Sequence, residues 1–200
     1  MSTPVGQSYW DQPLLTHTLV RGTRVNISKQ TIHRFLFGAD RPLPATIVEF
    51  DHPMETVKNW IKMWDADQKL ELLRWIAGYI EEDGVEASWV TGKLDIKKST
   101  LYFVGRFWWS VVRHWLGPTN ADNSLTLDRA VVVDSIIVGY DIHITRYILR
   151  EIHKCAFRDH TSIPFPCLIQ SLCDKAGVVK LPTIDHYIEV THIANIGLMQ

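Results

Sequence analysis

Residues 101–178 decide the fold. They read LYFVGRFWWSVVRHWLGPT (101–119), SLTLDRAVVVDSIIVG (124–139), DIHITRYILREIHKCAFRDH (141–160) and IPFPCLIQSLCDKAGV (163–178). The stretch carries the clearest helix start and stop signals, the densest aromatic cluster and all three cysteines. In its first segment Leu101, Phe103, Val104, Phe107, Trp108, Val111, Val112, Trp115 and Leu116 cover most of a helix circumference from about Ser99 to Leu116. Only a strip through Arg106, Ser110 and Arg113 is polar. A helix apolar nearly all round is surrounded by other elements, so the spacing predicts a central Trp-rich helix, stopped by Gly117-Pro118.

Three further helices follow. Thr126 is placed to cap one carrying Leu127, Ala130, Val131, Ile137 and Val138 to Gly139. Its β-branched run VVVDSIIV also suits a buried strand. A cap before it, a glycine after it and Asp134 inside it favour helix. An amphipathic helix starts at Asp141 or Ile144 and runs to about Asp159, and Pro164-Phe165-Pro166 sets up a short one with Leu168, Ile169, Leu172 and Cys173 inward. Upstream, Ser28 is a candidate N-cap for a helix ending at Gly38. Residues 39–53 are a proline-rich connection in which TIVEF is extended. Pro53 opens a helix through Trp64, and a second helix spans about Asp67–Tyr79. Residues 86–100 are turn-rich, with a short hairpin around Thr91-Gly92. The expectation is a mainly α, single globular multi-helix domain with at most a small β-hairpin. Residues 1–20 are a loosely ordered arm, 21–178 the helical domain with its core in 101–178, and 179–200 a C-terminal extension.

Composition narrows the function classes. Apolar residues at 46% and charged residues at 22% are globular values. A net charge of −1 leaves no overall attraction for polyanions, so a basic site has to be local. The N-terminus shows no secretory pattern, and no apolar run reaches the ~20 residues that span a bilayer. Three cysteines suit free thiols in a reducing compartment. The expected location is intracellular, in cytoplasm or nucleus, not secreted and not in a membrane.

One constellation invites a binding role. Arg146, Arg150, Lys154 and Arg158 stand four apart on one helix face, a spacing that lines up cations for successive phosphates. Arg113 joins them as a nucleic-acid-binding candidate. The plainer reading is a solvated face whose arginines pair with Glu151, Asp159 or the acidic 81–86 segment. Phe103, Phe107, Trp108, Trp109 and Trp115 can stack bases in principle, but their spacing reads as core. Trp109, beside the Arg106–Arg113 strip, is the exception. Cys155, His160, Cys167 and Cys173 match no zinc spacing and read as buried thiols. Asp134, Asp141 and Glu151 do not make a two-metal site without a mixed sheet; Asp134 reads as an acid paired with Arg106 or Arg129. No catalytic residue, metal, cofactor or small-molecule substrate is expected.

The run WWSVVRHWLGPTNADNSLTLDRAVVVDSIIVGYDIHITRYILREI, followed by IPFPCLIQSLCDKAGV, resembles the family called putative plant transposon protein domain. RGTRVNISKQTIHRFLFG is similar to its N-terminal portion, so the resemblance covers roughly residues 20–180. The aromatic segment ending in L-x-P-T and the F-P-x-L-I-x-x-L-C segment carry it. The resemblance implies descent from a transposable element of plants and transfers no catalytic residue. Relatives continue into long polar tails, so this chain reads as a trimmed copy or fragment. The leading expectation is a non-catalytic protein-interaction or assembly module, comparable to the structural protein of a retroelement, acting through self-association or another protein. The alternative is a module binding RNA or DNA through the 144–159 helix. A vestigial metal-dependent enzyme is the third reading.

Overall fold

The computed structural model describes residues 12–45, 47–60, 65–82, 84, 87–117, 123–157 and 164–181. The architecture is mainly α, with two small two-stranded pieces. Strands β1 (His17–Val20) and β2 (Thr23–Asn26) form an antiparallel hairpin. Helices follow as α1 (Lys29–Phe37), α2 (Val48–Lys58), α3 (Ala66–Ile80) and the single turn α4 (Ser88–Thr91). Strand β3 (Ile96–Lys97) precedes α5 (Phe103–Val111), which passes into a wider π-type turn over Val112–Leu116. Strand β4 (Ser124–Leu125), α6 (Leu127–Val138), α7 (Ile144–Ala156) and α8 (Pro166–Lys175) complete the described order.

Several local signals act as the sequence predicts. Ser28 caps α1 through its hydroxyl oxygen, which accepts from the Thr31 amide at 3.4 Å, and Gly38 closes the helix at φ 90°. One cap goes beyond those predicted: Asp65 accepts from the amides of Asp67 and Gln68 at the start of α3. Residues 127–138 are helical, and Gly139 ends them in the left-handed conformation that an L side chain resists.

Other expectations are corrected. The hairpin lies at 17–26, joining the last residues of the expected arm (β1) to the first of the helical domain (β2), and not at Thr91-Gly92. Arg21 and Gly22 both take positive φ, 49° and 79°, the geometry that matches a two-residue turn to strand twist. Gly92 ends α4 instead, and β3 pairs with the distant β4. Val48–Phe50 are helical, not extended, so Pro53 sits inside α2 rather than in its first turn. Asp51 makes this early start workable. Its side chain accepts from the Ile47 amide at 3.2 Å, supplying a cap that Ile47 cannot give itself. Helix α2 ends at Lys58 with Asn59 as its C-cap, short of the expected end at Trp64, a residue that itself lies outside the described ones.

The larger correction concerns the centre. The core helix is α6, not the Trp-rich α5. Ala130, Val131, Val132, Val133, Asp134 and Ser135 are all 0% exposed, and α6 packs against α2, α3 and α5. Short β-branched side chains let three helices approach one axis closely, whereas α5 is too bulky to be enclosed. On α5 only Gly105 and Trp109 are buried, continued by Val112. A Cβ at Gly105 would stand 3.0 Å from the Ile80 carbonyl oxygen, so the missing side chain sets how closely α5 approaches α3. Phe103 is 74% exposed and Phe107 53%.

Two apolar clusters result. The larger joins α2–α6 with Tyr147 of α7 and contains Phe50, Met54, Ile76, Trp89 and Trp109. The smaller joins β2, α1, α7 and α8 through Val25, Ile32, Ile148, Leu149, Leu168 and Leu172. Helix α7 contributes to both and joins them. Among the described residues no helix is long and apolar enough to cross a membrane.

Asp134 lies inside the larger cluster, where neither carboxyl oxygen has a hydrogen-bond partner among the described residues. It is not paired with Arg106 or Arg129 as expected, and burial pushes its pKa well above the ordinary carboxylate value. The native state therefore holds a proton that the unfolded chain releases near pH 4, and stability falls as pH rises above about that value. Asp134→Asn abolishes this dependence. In urea melts the variant should gain on the wild type progressively as pH rises from about 4 for as long as the native acid stays protonated. A difference independent of pH contradicts a protonated Asp134. Packing gives a second expectation: Trp109→Ala costs about 3–5 kcal/mol in the same assay, while Phe103→Ala stays within about 0.5 kcal/mol.

Candidate functional site

The basic line of α7 is real as spacing, but its described members point to carboxylates of the same molecule. Arg146 donates to Asp51 of α2 at 2.6 Å. Arg150 stands 3.8 Å from Glu55, one helical turn further along α2. Lys154 donates to Asp128 of α6 at 2.9 Å and to Glu151 at 3.4 Å. Arg150 and Lys154 are each only 7% exposed. These cations fasten α7 to α2 and α6, and an ammonium enclosed between two carboxylates has no face left for a phosphate. Arg158 and His160 lie outside the described residues.

The inner end of this seam is a buried group of four charges. Arg129 adds an ion pair to Glu151 at 3.7 Å and donates from Nε to the Gly117 carbonyl at 3.1 Å. Two cations and two carboxylates thus balance in one buried place. Burial pushes the carboxyl pKa of Asp128 up, but the charges of Lys154 and Arg129 and a hydrogen bond from Thr126 outweigh it and hold it below its ordinary value. Glu151 goes the other way: burial and the neighbouring Asp128 charge raise it against Lys154 and Arg129. Gly117 is fixed by this packing, since a Cβ there would stand 2.5 Å from the Tyr147 hydroxyl oxygen and 3.0 Å from Arg129 Nε. At the outer end, Lys29 is held below its ordinary value by partial burial and the Arg146 charge.

The exposed chemistry lies on α5. Phe103 and Phe107, one helical turn apart, are exposed together with Val104 (37%), and Trp115 on the following turn is 58% exposed. These are aromatics that the spacing read as core. Trp109, singled out as the exception, is instead the core member at 1%. Its ring carries Lys98 at 5.3 Å and Arg113 at 5.5 Å. Cation–π attraction thus places two positive charges beside the helix. Arg106 is exposed on the same flank, and residues 93–117 hold five Lys/Arg against one Asp. Of the described candidate residues, Arg113 alone belongs to this surface; Lys98 was missed, although KLDIKKST before an aromatic helix is its visible signal.

The thiols do not gather. Cys155 and Cys173 are partly buried, and Cys167 is exposed, contrary to the expectation of buried thiols. Among the described residues no group of His, Cys, Asp and Glu has the arrangement of a metal site.

A buried charge deprived of its partner is far costlier than an exposed one. Lys154→Met leaves Asp128 and Glu151 facing each other and should lower stability by about 3–5 kcal/mol in urea melts. The double variant Lys154→Met/Asp128→Leu should recover part of that loss. A loss under about 0.5 kcal/mol for the single variant, the range of ordinary surface changes, contradicts the enclosed position of Lys154.

No curated protein and no solved structure matches the chain. Residues 4–179 match the family model described as putative plant retrotransposon-related domain. That match takes in most of the α-helical framework and begins upstream of the N-terminal hairpin, and the chain belongs to this family of transposon-related plant domains.

Proposed function

We propose that this transposon-related domain is a non-catalytic binding module, and that the face of α5 and its following turn holds single-stranded nucleic acid. The observation that carries the reading is the exposed row of Phe103, Phe107 and Trp115 beside Arg106, Arg113 and Lys98. Aromatic rings accept any unpaired base by stacking, and cations along one flank follow the backbone. Neither half suffices alone: the cations supply salt-dependent attraction, and the rings favour unpaired over paired bases. A chain with net charge −1 needs such a local surface to bind a polyanion at all. The α7 basic line is not part of this reading, because its described cations are engaged internally.

A second reading uses the same apolar row as an assembly contact. Exposed apolar residues of this size in a continuous row also mark protein interfaces. This reading keeps the interaction-module expectation and sets its contact on the α5 face.

Fluorescence anisotropy with a short RNA, the matching single-stranded DNA and the duplex separates the readings. Both single strands should bind better than the duplex, with affinity falling linearly in log salt. Phe103→Ser/Phe107→Ser should weaken single-strand binding by at least about tenfold, the loss of ~1–3 kcal/mol per stacked base. Arg106→Gln/Arg113→Gln should flatten the salt dependence. Absence of binding at low salt overturns the nucleic-acid reading. If light scattering then shows a dimer that the Phe103→Ser/Phe107→Ser variant loses, the face is an assembly contact.

A further inference from the structure

Helices α2 and α3 leave a cleft of about 400 Å³ between them, away from the α5 face. Helix α2 turns Glu49, His52, Pro53 and Thr56 into it, positions that recur at i, i+3, i+4 and i+7. Helix α3 answers with Gln68, Glu71, Leu72 and Trp75 at the same spacing. Tyr140, just past the end of α6, adds a second aromatic wall. Two helical stripes therefore face each other across the space, and both are mixed: aromatic and aliphatic surface with one carboxylate apiece.

Beside the His52 imidazole, the charged groups of this lining are all acidic. It contains two carboxylates and no lysine or arginine, and neither Glu49 nor Glu71 makes an ion pair among the described residues. Trp75 is held in place by an edge contact to Tyr79, ring centroids 5.9 Å apart, and packs in part against the larger core cluster. We propose that the cleft binds an organic cation of the alkylated-ammonium class. The positive charge meets the faces of Trp75 and Tyr140 and the field of Glu49 and Glu71, and its alkyl groups meet Val48, Pro53 and Leu72. A bare ammonium is compact and strongly hydrated, and apolar walls do not replace its water. A divalent metal asks for six or more oxygens, which two carboxylates on opposite helices do not supply. A trimethylated lysine side chain and a choline group share the required chemistry.

The test follows the Trp75 indole N–H by NMR while the whole chain is titrated with tetramethylammonium. A saturable shift is expected, and Glu71→Gln/Tyr140→Leu, at two surface positions, should weaken it by about tenfold. Acetylated trimethyllysine and choline are then compared: preference for the first identifies a modified side chain, for the second a headgroup or free choline, and either supports the site. No shift at millimolar probe overturns the proposal. So does equal binding by the double variant, provided its spectrum retains native dispersion, or equal binding of unmethylated acetyl-lysine, which would reduce the cleft to an acidic surface. Should Glu71→Gln/Tyr140→Leu fail to fold, the single Glu71→Gln variant decides, since that exposed side chain supports no packing.

Discussion

The ion-pair seam along α7 holds the two halves of the molecule to one another. Apolar burial alone would leave two clusters, one around α6 and one between α1, α7 and α8, each satisfied by itself. Apolar contact is not directional, and it would tolerate α7 sliding or turning between them. Arg146 on Asp51, Lys154 on Asp128 and Arg129 on Glu151 remove that freedom, because each displaced cation would strand a carboxylate in a poorly hydrated place. The seam's contribution is therefore less to the total stability than to the choice of one register over its neighbours.

What the sequence reveals and conceals follows from the range of the forces involved. Caps are local: Ser28, Gly38 and Gly139 were legible because a few adjacent residues carry their whole explanation. The helical state of 127–138 was legible from Gly139 after it and Asp134 within it, against the strand preference of VVVDSIIV, although Thr126 at the N-cap position makes no side-chain capping bond. Enclosure is not local. An apolar circumference told that α5 had nothing polar to show, not whether three neighbours would cover it, and the short side chains of α6 took the centre instead. The fate of the basic line was still further from view, since Arg146 and Asp51 are 95 positions apart. No spacing on α7 announces a carboxylate on α2.

The same reasoning separates the two surfaces with chemistry to offer. The residues of the α5 face are plain in the sequence, but their helical spacing reads as core, because spacing carries no information on exposure. The α2–α3 cleft went unnoticed because Trp75 and Tyr140 come from separate elements and acquire a common purpose only across the packed helices. One surface is cationic and aromatic, the other acidic and aromatic. On the readings proposed above, a polyanion and an organic cation would be sorted to different sites by charge alone.

The short β3–β4 ladder has an effect out of proportion to its length. Ile96 stands opposite Leu125 and Lys97 opposite Ser124, and the Lys98 amide donates to the Asn123 carbonyl at 3.0 Å. The chain before α5 and the chain before α6 are thereby fastened to each other at one point, with the whole of α5 between them in sequence. Such a closed detour is a cassette: its outward positions can be rewritten, or the segment exchanged for a relative's, without rerouting the chain that supports it. Among the described residues, the inward set of Leu101, Gly105, Trp109, Val112 and Gly117 has to be kept for the cassette to seat.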